Sequence, residues 1–391
     1  MKVFLIAGEP SGDKLGAALM EGLSSLRDDI EFIGVGGAAM QAKGLTSLFP
    51  MSDLSVMGIA EVAPKYFHLK RRIRETAKAV IDADPDVLVT IDSPDFCLRV
   101  AKIVKQDEVE GQTFGHDIPV VHYVAPSVWA WRPKRADKMA QWVDHVLALL
   151  PFEPPLMTAA GMGCDFVGHP VVAEPVATDA EAQAFREQHQ IGAAPLVLAL
   201  PGSRQGEIAR LAPRFGETLA RVQREHPDLR VALPVAQGVE DQVRAQTATW
   251  SSPPILIPAD QPDQKRAAFR AADVALAASG TVSLELAAAG TPMVIAYDMN
   301  WLSRLMIGWL LQIDTVTLVN LVSETRAVPE FLGKACQPAR IAPAVLAMLA
   351  DPTAQHAAMQ VTMARLGQGS EAPGLRAARA VLDVVARSKA D

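Results

Sequence analysis

Residues 274–300 read VALAASGTVSLELAAAGTPMVIAYDMN, and this stretch decides the fold class. The apolar run 274–278 has the length and bounding residues of a buried strand. Ser279-Gly280-Thr281 breaks it, and a helix-favouring run follows to Ala289. Gly290 supplies the expected stop, and Pro292 blocks continuation before a second strand over 293–297. Such a strand–turn–helix–strand unit belongs to a parallel sheet, and ligands of open α/β sheets gather at the carboxyl ends of the strands. The turn carries no bulky side chain before Val282, so an anion can approach the free N–H groups of the helix start. Glu285 lies one helical turn beyond Thr281, on the same face. Donors for phosphate beside a carboxylate for sugar hydroxyls suit a nucleotide diphosphate. The plainer alternative is a capped helix with a surface charge.

The same pattern opens the second half of the chain. Residues 195–200 read as a strand, Pro201-Gly202-Ser203-Arg204-Gln205-Gly206-Glu207 as its turn, and a helix is expected from about Ile208 to Glu225. Arg204 is placed to reach phosphate. Residues 229–235 and 254–258 add strands. Residues 328–332 are expected to begin a helical tail, whose last segment carries Leu375, Ala378, Val381, Leu382 and Val385 on one face. The first half starts alike, with a strand over 2–7, a turn over 8–13 carrying Glu9 and Ser11, and a helix from near Lys14. That turn is not GxGxxG, so a dinucleotide is not expected. Strands are expected at 31–35, 86–91, 120–124 and 145–149, with a short one at 166–170. Residues 171–194 read as a linker with one short helix.

A length of 391 residues is long for one core and favours two domains. Half the residues are apolar but only 5% aromatic, a balance suited to helices packed on parallel sheets. The net charge of −7 argues against a general nucleic-acid binder. Cys97, Cys164 and Cys336 form no CxxC pair, so a reducing compartment without structural disulfide or zinc is expected. The N-terminus enters a strand at once and lacks a signal-peptide pattern. The most apolar later run, 301–311, contains Arg304 and is too short to span a bilayer. A cytoplasmic protein, soluble or peripheral, is the expectation. Residues 65–74, KYFHLKRRIR, interleave basic and apolar side chains and suit either an anionic membrane surface or a solvated helix face.

Asp92 stands at the end of the strand 86–91 and is a candidate general base or a simple turn cap. Trp129, Trp131 and Arg132 follow the strand 120–124 and suit an acceptor wall or plain packing. His122, inside that strand, reads as a core histidine. The one DxD, Asp82-Ala83-Asp84, precedes its strand and so lies at the wrong end of the sheet. Diphosphate charge is then expected to meet Arg204 and the helix start at Gly280-Thr281, with no metal or other cofactor. Two Rossmann-like halves with a phosphate-shaped turn in the second fit a nucleotide-sugar glycosyltransferase of the GT-B type.

Longer motifs narrow this. They are AGEPSGD at 7–13, VMGIAEV at 56–62, IDSPDF at 91–96, HYVAPSVWAWRPKR at 122–135, LLPFE at 149–153 and FVGHP at 166–170. The second half adds LPGSRQGEI at 200–208, ASGTVSLE at 278–285, and LVNL with VPEFL between 318 and 332. In these motifs, spread over nearly the whole chain, the sequence resembles the lipid-A-disaccharide synthases of Gram-negative outer-membrane biogenesis. The resemblance implies an α/β GT-B fold: two facing Rossmann-like domains with a cleft between them, plus C-terminal helices. Residues 1–170 would take the acceptor and 171–350 the UDP-sugar, while 351–391 would pack back on the N-terminal domain or exchange in a homodimer. It implies transfer from UDP-2,3-diacylglucosamine to 2,3-diacylglucosamine 1-phosphate, giving the β-1,6-linked disaccharide 1-phosphate and UDP with inversion. It also implies a peripheral place on the cytoplasmic side of the inner membrane.

Carried onto this sequence, the resemblance makes Asp92 the base. Gly202, Ser203, Arg204, Ser279, Gly280 and Thr281 would hold the diphosphate and Glu285 the ribose. Asn320 would serve activity in the cleft, and Glu9, Ser11, Trp129, Trp131 and Arg132 would line the acceptor side. Cys97 departs from the pattern, standing where a polar residue is expected, and the segment 65–74 is more basic than the family tends to be. Two other readings share the fold: a UDP-sugar 2-epimerase, and a non-catalytic sugar-nucleotide or lipid-binding protein in which Asp92 would be dispensable.

Overall fold

The structure, a computed structural model, describes residues 1–54, 59–106, 108–109, 112–113, 117–129, 134–298 and 314–390. The chain divides into two compact units, Met1–Ala173 with Gly369–Asp391, and Glu174–Gln368.

The first unit contains β1 (Lys2–Ala7), β2 (Glu31–Val35), β3 (Thr46–Ser47), β4 (Val87–Ile91), β5 (Glu108–Val109), β6 (Gln112–Thr113), β7 (Val120–Tyr123), β8 (His145–Ala148) and β9 (Gly163–Phe166). Seven of these form one parallel sheet in the order β3-β2-β1-β4-β7-β8-β9, while β5 and β6 pair antiparallel with each other. The second unit contains β10 (Leu196–Leu200), β11 (Arg230–Pro234), β12 (Ile255–Ile257), β13 (Val274–Ala277), β14 (Met293–Tyr297) and β15 (Glu330–Leu332). These form a parallel sheet in the order β12-β11-β10-β13-β14-β15. Both sheets therefore repeat one topology, in which the third, second and first strands lie on one side and the fourth onward on the other. The strand order reverses between β1 and β4 and again between β10 and β13, the positions where such sheets bind ligands.

The central strands read as unbroken Val, Ile, Leu and Ala runs because helices cover both of their faces. In the first unit Phe4, Ile6, Leu88 and Val146 belong to one core, and Val3, Leu5, Val89 and Leu147 to another across the sheet. Helix Pro10–Leu26 buries Leu15, Leu19 and Leu23 in the second of these cores, together with Ala377, Ala378 and Val381 of helix Pro373–Ser388. A Cβ on Gly22 would stand 2.6 Å from the Gly374 carbonyl oxygen, so the glycine permits this close crossing. Arg376 donates to the Phe166 carbonyl at 2.5 Å and lies over the Phe166 ring. The C-terminal segment is thus divided: helices Pro338–Ala350 and Thr353–Arg365 stay in the second unit, and residues from Gly369 onward return to the first. The division between Ala173 and Glu174 lies within the linker expected at 171–194, three residues beyond the boundary written after 170.

Four expectations need correction. Helix Pro10–Leu26 starts four residues before Lys14, and helix Gln205–Glu225 three before Ile208. A first helical turn needs no apolar side chains, and Pro10 presets its own φ there, so small and polar residues hid both starts. Residues 330–332 begin no helix; they form edge strand β15, with Ile295 paired to Glu330. The short strand expected at 166–170 lies earlier, at β9, and FVGHP instead forms its exit. Cys97 is fully buried in the core-facing side of helix Pro94–Gln106, and burial pushes its thiol up, so its place is filled by packing.

Candidate functional site

In the second unit, the turns after β10 and β13 stand side by side, because Leu200 and Ala277 are paired across the two strands. They open onto a cavity of about 960 Å³. Gly202, Ser203, Arg204, Ser279, Gly280, Thr281 and Glu285 all line it, so the structure brings every expected donor residue together. Gly280 has φ +155, and a Cβ there would meet nothing within 4 Å, leaving the turn open to an approaching ligand. The helix Val282–Ala289 follows, stopped by Gly290 in the left-handed conformation. Its start has no side-chain cap, and among the described residues the Gly280 and Thr281 N–H groups have no acceptor. An anion would find a ready set of donors here.

Glu207 organises the companion turn. Its Oε2 accepts from Ser203 N at 3.2 Å, and Tyr297 Oη donates to its Oε1 at 3.1 Å. A Cβ on Gly202, at φ +109, would come within 2.5 Å of the same carboxylate. Arg204 lines the cavity while staying largely exposed, 3.9 Å from Glu207. Glu285 is half-buried, and its Oε2 accepts from Lys265 Nζ at 2.8 Å.

The first sheet presents a different edge. Asp92 and Ser93 follow β4 with φ of +51 and +44, and Val124 follows β7 with φ +85. Left-handed backbone is uncommon for any side chain and an outlier for a β-branched one. Asp92 N donates to the Tyr123 carbonyl at 2.9 Å, which fixes its place beside β7. Ala7 pairs with Ile91, so Gly8 and Glu9 come out next to Asp92, and a Cβ on Gly8 would stand 2.6 Å from Ser93 Oγ. Ser11 is exposed in the first helical turn. Asp13 of the same motif faces inward and accepts from Gly37, Ala39 and Met40 N–H groups at 2.8–3.1 Å, holding the neighbouring turn. Asp82 and Asp84 precede β4, at the sheet's opposite end.

Trp129 is half-buried, packs edge-to-face on Phe152 at 5.4 Å, and donates from Nε1 to Glu153 Oε1 at 3.2 Å. Glu153 Oε2 also accepts from Leu149 and Leu150 N–H at 3.1 and 2.9 Å, and burial pushes its carboxyl up to about 7. Trp131 and Arg132 lie outside the described residues. His122 is buried against Thr90 Oγ1 at 2.7 Å, and burial pushes its imidazole down to about 4, as befits a core histidine.

Asn320 is not among the residues lining the cavity. It is buried, its Nδ2 donates to Val328 O at 2.9 Å and Thr315 Oγ1 at 3.2 Å, and its Oδ1 accepts from Val328 N at 2.9 Å. With those bonds made it ties two segments of the second unit together.

Sequence reasoning missed Glu207, Lys265 and Glu153. Glu207 stands three residues after Arg204, the residue preceding the helix, and accepts from its N–H at 3.4 Å; the spacing is that of a capping box, but without Ser or Thr at the first position the signal is only half present. Glu153 lay within a quoted motif without a role. Lys265 had no signal, because only tertiary packing brings it to Glu285, twenty residues on.

The sequence model of the family described as lipid-A-disaccharide synthetase matches residues 3–381. The chain is 63% identical over 389 residues to the lipid-A-disaccharide synthase of Ruegeria pomeroyi, covering 98% of this chain and 95% of that one. It is 45% identical over 390 residues to that of Rhodospirillum centenum, again covering 98% and 95%. The chain belongs to the lipid-A-disaccharide synthetase family. Members are hexosyltransferases of lipid A disaccharide synthesis, and this activity, not epimerisation, follows for the chain. Among solved structures, the putative UDP-N-acetylglucosamine 2-epimerase of Listeria monocytogenes superposes with a TM-score of 0.62 at 13% identity, covering 100% of this chain and 97% of that one. Acinetobacter baumannii MurG superposes at 0.54 and 14% identity, covering 99% of each. Identities this low speak for the fold alone, which is GT-B. No helix among the described residues is long and apolar enough to cross a membrane.

Proposed function

We propose that the chain moves the diacylglucosaminyl group of UDP-2,3-diacylglucosamine onto the 6-hydroxyl of 2,3-diacylglucosamine 1-phosphate by a single inverting displacement that uses no metal. The observation that carries this reading is the convergence of residues 202–204, 279–282 and 285 on one cavity with an exposed arginine, open N–H groups and a carboxylate. The UDP diphosphate would take the Gly280 and Thr281 N–H groups and the Arg204 guanidinium, with Glu285 on the ribose. The bond from the anomeric carbon to the diphosphate oxygen breaks, and its electron pair leaves with UDP. The acceptor oxygen bonds to that carbon from the opposite face as its proton passes to Asp92. Arg204 and the helix start stabilise the departing charge. Asp92, on a strained turn at a sheet's carboxyl edge, suits the base role.

We further propose peripheral attachment to the cytoplasmic side of the inner membrane through helix Ile59–Ala83. Phe67 is 80% exposed, and Lys70, Arg71 and Arg74 are exposed at helical spacings of three, four and seven from it, forming one face. Arg72 turns away from that face to Asp53 and Glu75 and stacks on Phe49.

The test is UDP release from the purified chain with donor alone and with donor plus acceptor, in EDTA. Acceptor-dependent release with a disaccharide product is expected. Release that requires added magnesium would overturn the metal-free account, and release without acceptor would overturn the transfer step. Replacing Lys70, Arg71 and Arg74 with Glu should weaken binding to anionic vesicles, and unchanged binding would sink the attachment reading.

A further inference from the structure

Lys265 lines the donor cavity beside Glu285 without a role in the reaction as described. It sits on helix Pro262–Ala271, which enters directly after β12, while Glu285 sits on helix Val282–Ala289. Its ammonium donates to Glu285 Oε2 at 2.8 Å and lies 5.1 Å above the ring of buried Phe269. The ring below and the carboxylate beside it fix where a long, otherwise mobile side chain ends. Among the described residues, Glu285 Oε1 has no hydrogen-bond partner, and the other two ammonium protons have no acceptor. One face of the cavity therefore offers a free carboxylate acceptor and a free ammonium donor, held next to each other.

We propose that Lys265 is a specificity-determining residue that, with Glu285, reads the vicinal diol of the donor's ribose. The assignment rests on the nucleotide site proposed above. A hydroxyl both gives and accepts a hydrogen bond. One ribose hydroxyl donates to Glu285 Oε1 while its neighbour accepts from Lys265, and the ion pair holds the two contacts at diol spacing. A nucleotide lacking the diol leaves both charges without those partners, and a site built to bond a hydroxyl rejects its absence strongly. Because Lys265 also orients Glu285, removing the lysine weakens the carboxylate's share as well.

The experiment measures UDP and 2′,3′-dideoxy-UDP affinity by calorimetric titration. It uses the full chain, its Lys265→Met, Lys265→Arg and Glu285→Ala forms, and the double variant combining Lys265→Met with Glu285→Ala. The unsubstituted chain should prefer UDP by about 100-fold, the worth of two hydrogen bonds to charged groups. K265M should cut that preference to about tenfold or less, K265R should keep most of it, and K265M should cost less of it in the Glu285→Ala background than in the parent. Equal losses for both nucleotides would place the ammonium on the phosphates and overturn the assignment. An unchanged preference in K265M would overturn it too, whatever the absolute affinity. Failure of the unsubstituted chain to bind UDP would instead bring down the donor site itself, and this assignment with it.

Discussion

The two sheets share one strand order, yet their carboxyl edges are built in opposite ways. At the second, in the turns after β10 and β13, the described residues with left-handed backbone are glycines, Gly202 at φ +109 and Gly280 at +155. At the first, in the turns after β4 and β7, they bear side chains: Asp92, Ser93 and Val124, at +51, +44 and +85, while Gly168 after β9 is at +90. The fourth strands make the contrast residue by residue. Ile91 and Ala277 end β4 and β13, so Asp92 corresponds to Ala278 and Ser93 to Ser279. Where the second edge has a buried methyl, the first has a half-buried carboxylate. Glycine lets a ligand reach the backbone, which suits a phosphate. A non-glycine residue held at positive φ costs about 1–3 kcal/mol, and the first edge meets that cost to aim particular side chains. One topology thus yields a surface of N–H groups and a surface of side chains.

The largest test of that division is Asp92→Asn. Asparagine keeps the shape and tolerates positive φ, so the turn should survive. Turnover should fall by about 10²- to 10⁴-fold, the usual worth of a general base, while UDP titration should give unchanged affinity. A turnover within about tenfold of the parent would mean that the first edge does not supply the base.

The next test concerns Glu153, which anchors Trp129 at the first edge. Burial raises its carboxyl to about 7 from the ordinary 4.5, so the folded chain holds a proton there that the unfolded chain has already lost. The contribution is fully present below pH 4.5 and is lost as pH rises through 7. Glu153→Gln removes the titration. The stability advantage of the parent over the variant, from urea unfolding at pH 5 and pH 8, should shrink by about 2 kcal/mol at the higher pH. An advantage that stays constant or grows would show the three N–H donors outweighing burial.

Much of this organisation was legible in the sequence, for identifiable reasons. Strands such as β1, β2 and β14 are short apolar runs bounded by Gly, Pro or charge, and each lies where its periodicity puts it. The residues that line the cavity could be placed together because both turns stand at the carboxyl ends of parallel strands, and family motifs, not the turns alone, singled them out. The illegible parts are those that packing decides. The start of helix Gln205–Glu225 was hidden by polar residues that Glu207 ties together, and Lys265 joins the cavity only once two helices pack. Glu330 looked helical beside Phe331 and Leu332, but a parallel partner in β14 claims that backbone. The positive φ of Val124 has no sequence signature at all, since valine is among the least expected residues there.

A smaller effect is expected at the second edge. Gly280→Ala meets no atom within 4 Å, so its cost comes from backbone alone, roughly 1–3 kcal/mol for a side chain held in a sparsely populated region. If that cost falls on the ligand-ready turn, UDP affinity should drop about tenfold with the rest of the fold intact by circular dichroism. An affinity unchanged by the methyl group would mean that the diphosphate does not need the open backbone, and the two edges would differ less than their dihedrals suggest.

The finest test exchanges the corresponding serines. Ser93 has φ +44, its Oγ makes no hydrogen bond among the described residues, and its carbonyl carries the bonds from Phe96 and Cys97 N–H. Ser93→Gly therefore keeps those bonds and relieves left-handed strain, at the cost of a more flexible unfolded chain. The net should be stabilising by about 0.5–1 kcal/mol, a midpoint rise of a few degrees at most in a thermal melt. Ser279 does not have positive φ, so Ser279→Gly relieves nothing and should destabilise by about 0.5–1 kcal/mol through the same flexibility. Opposite signs at topologically matched positions are what two differently built edges require. The same sign at both would mean that the first edge carries no strain that glycine can release, and the reason for non-glycine residues there would have to be sought in their side chains alone.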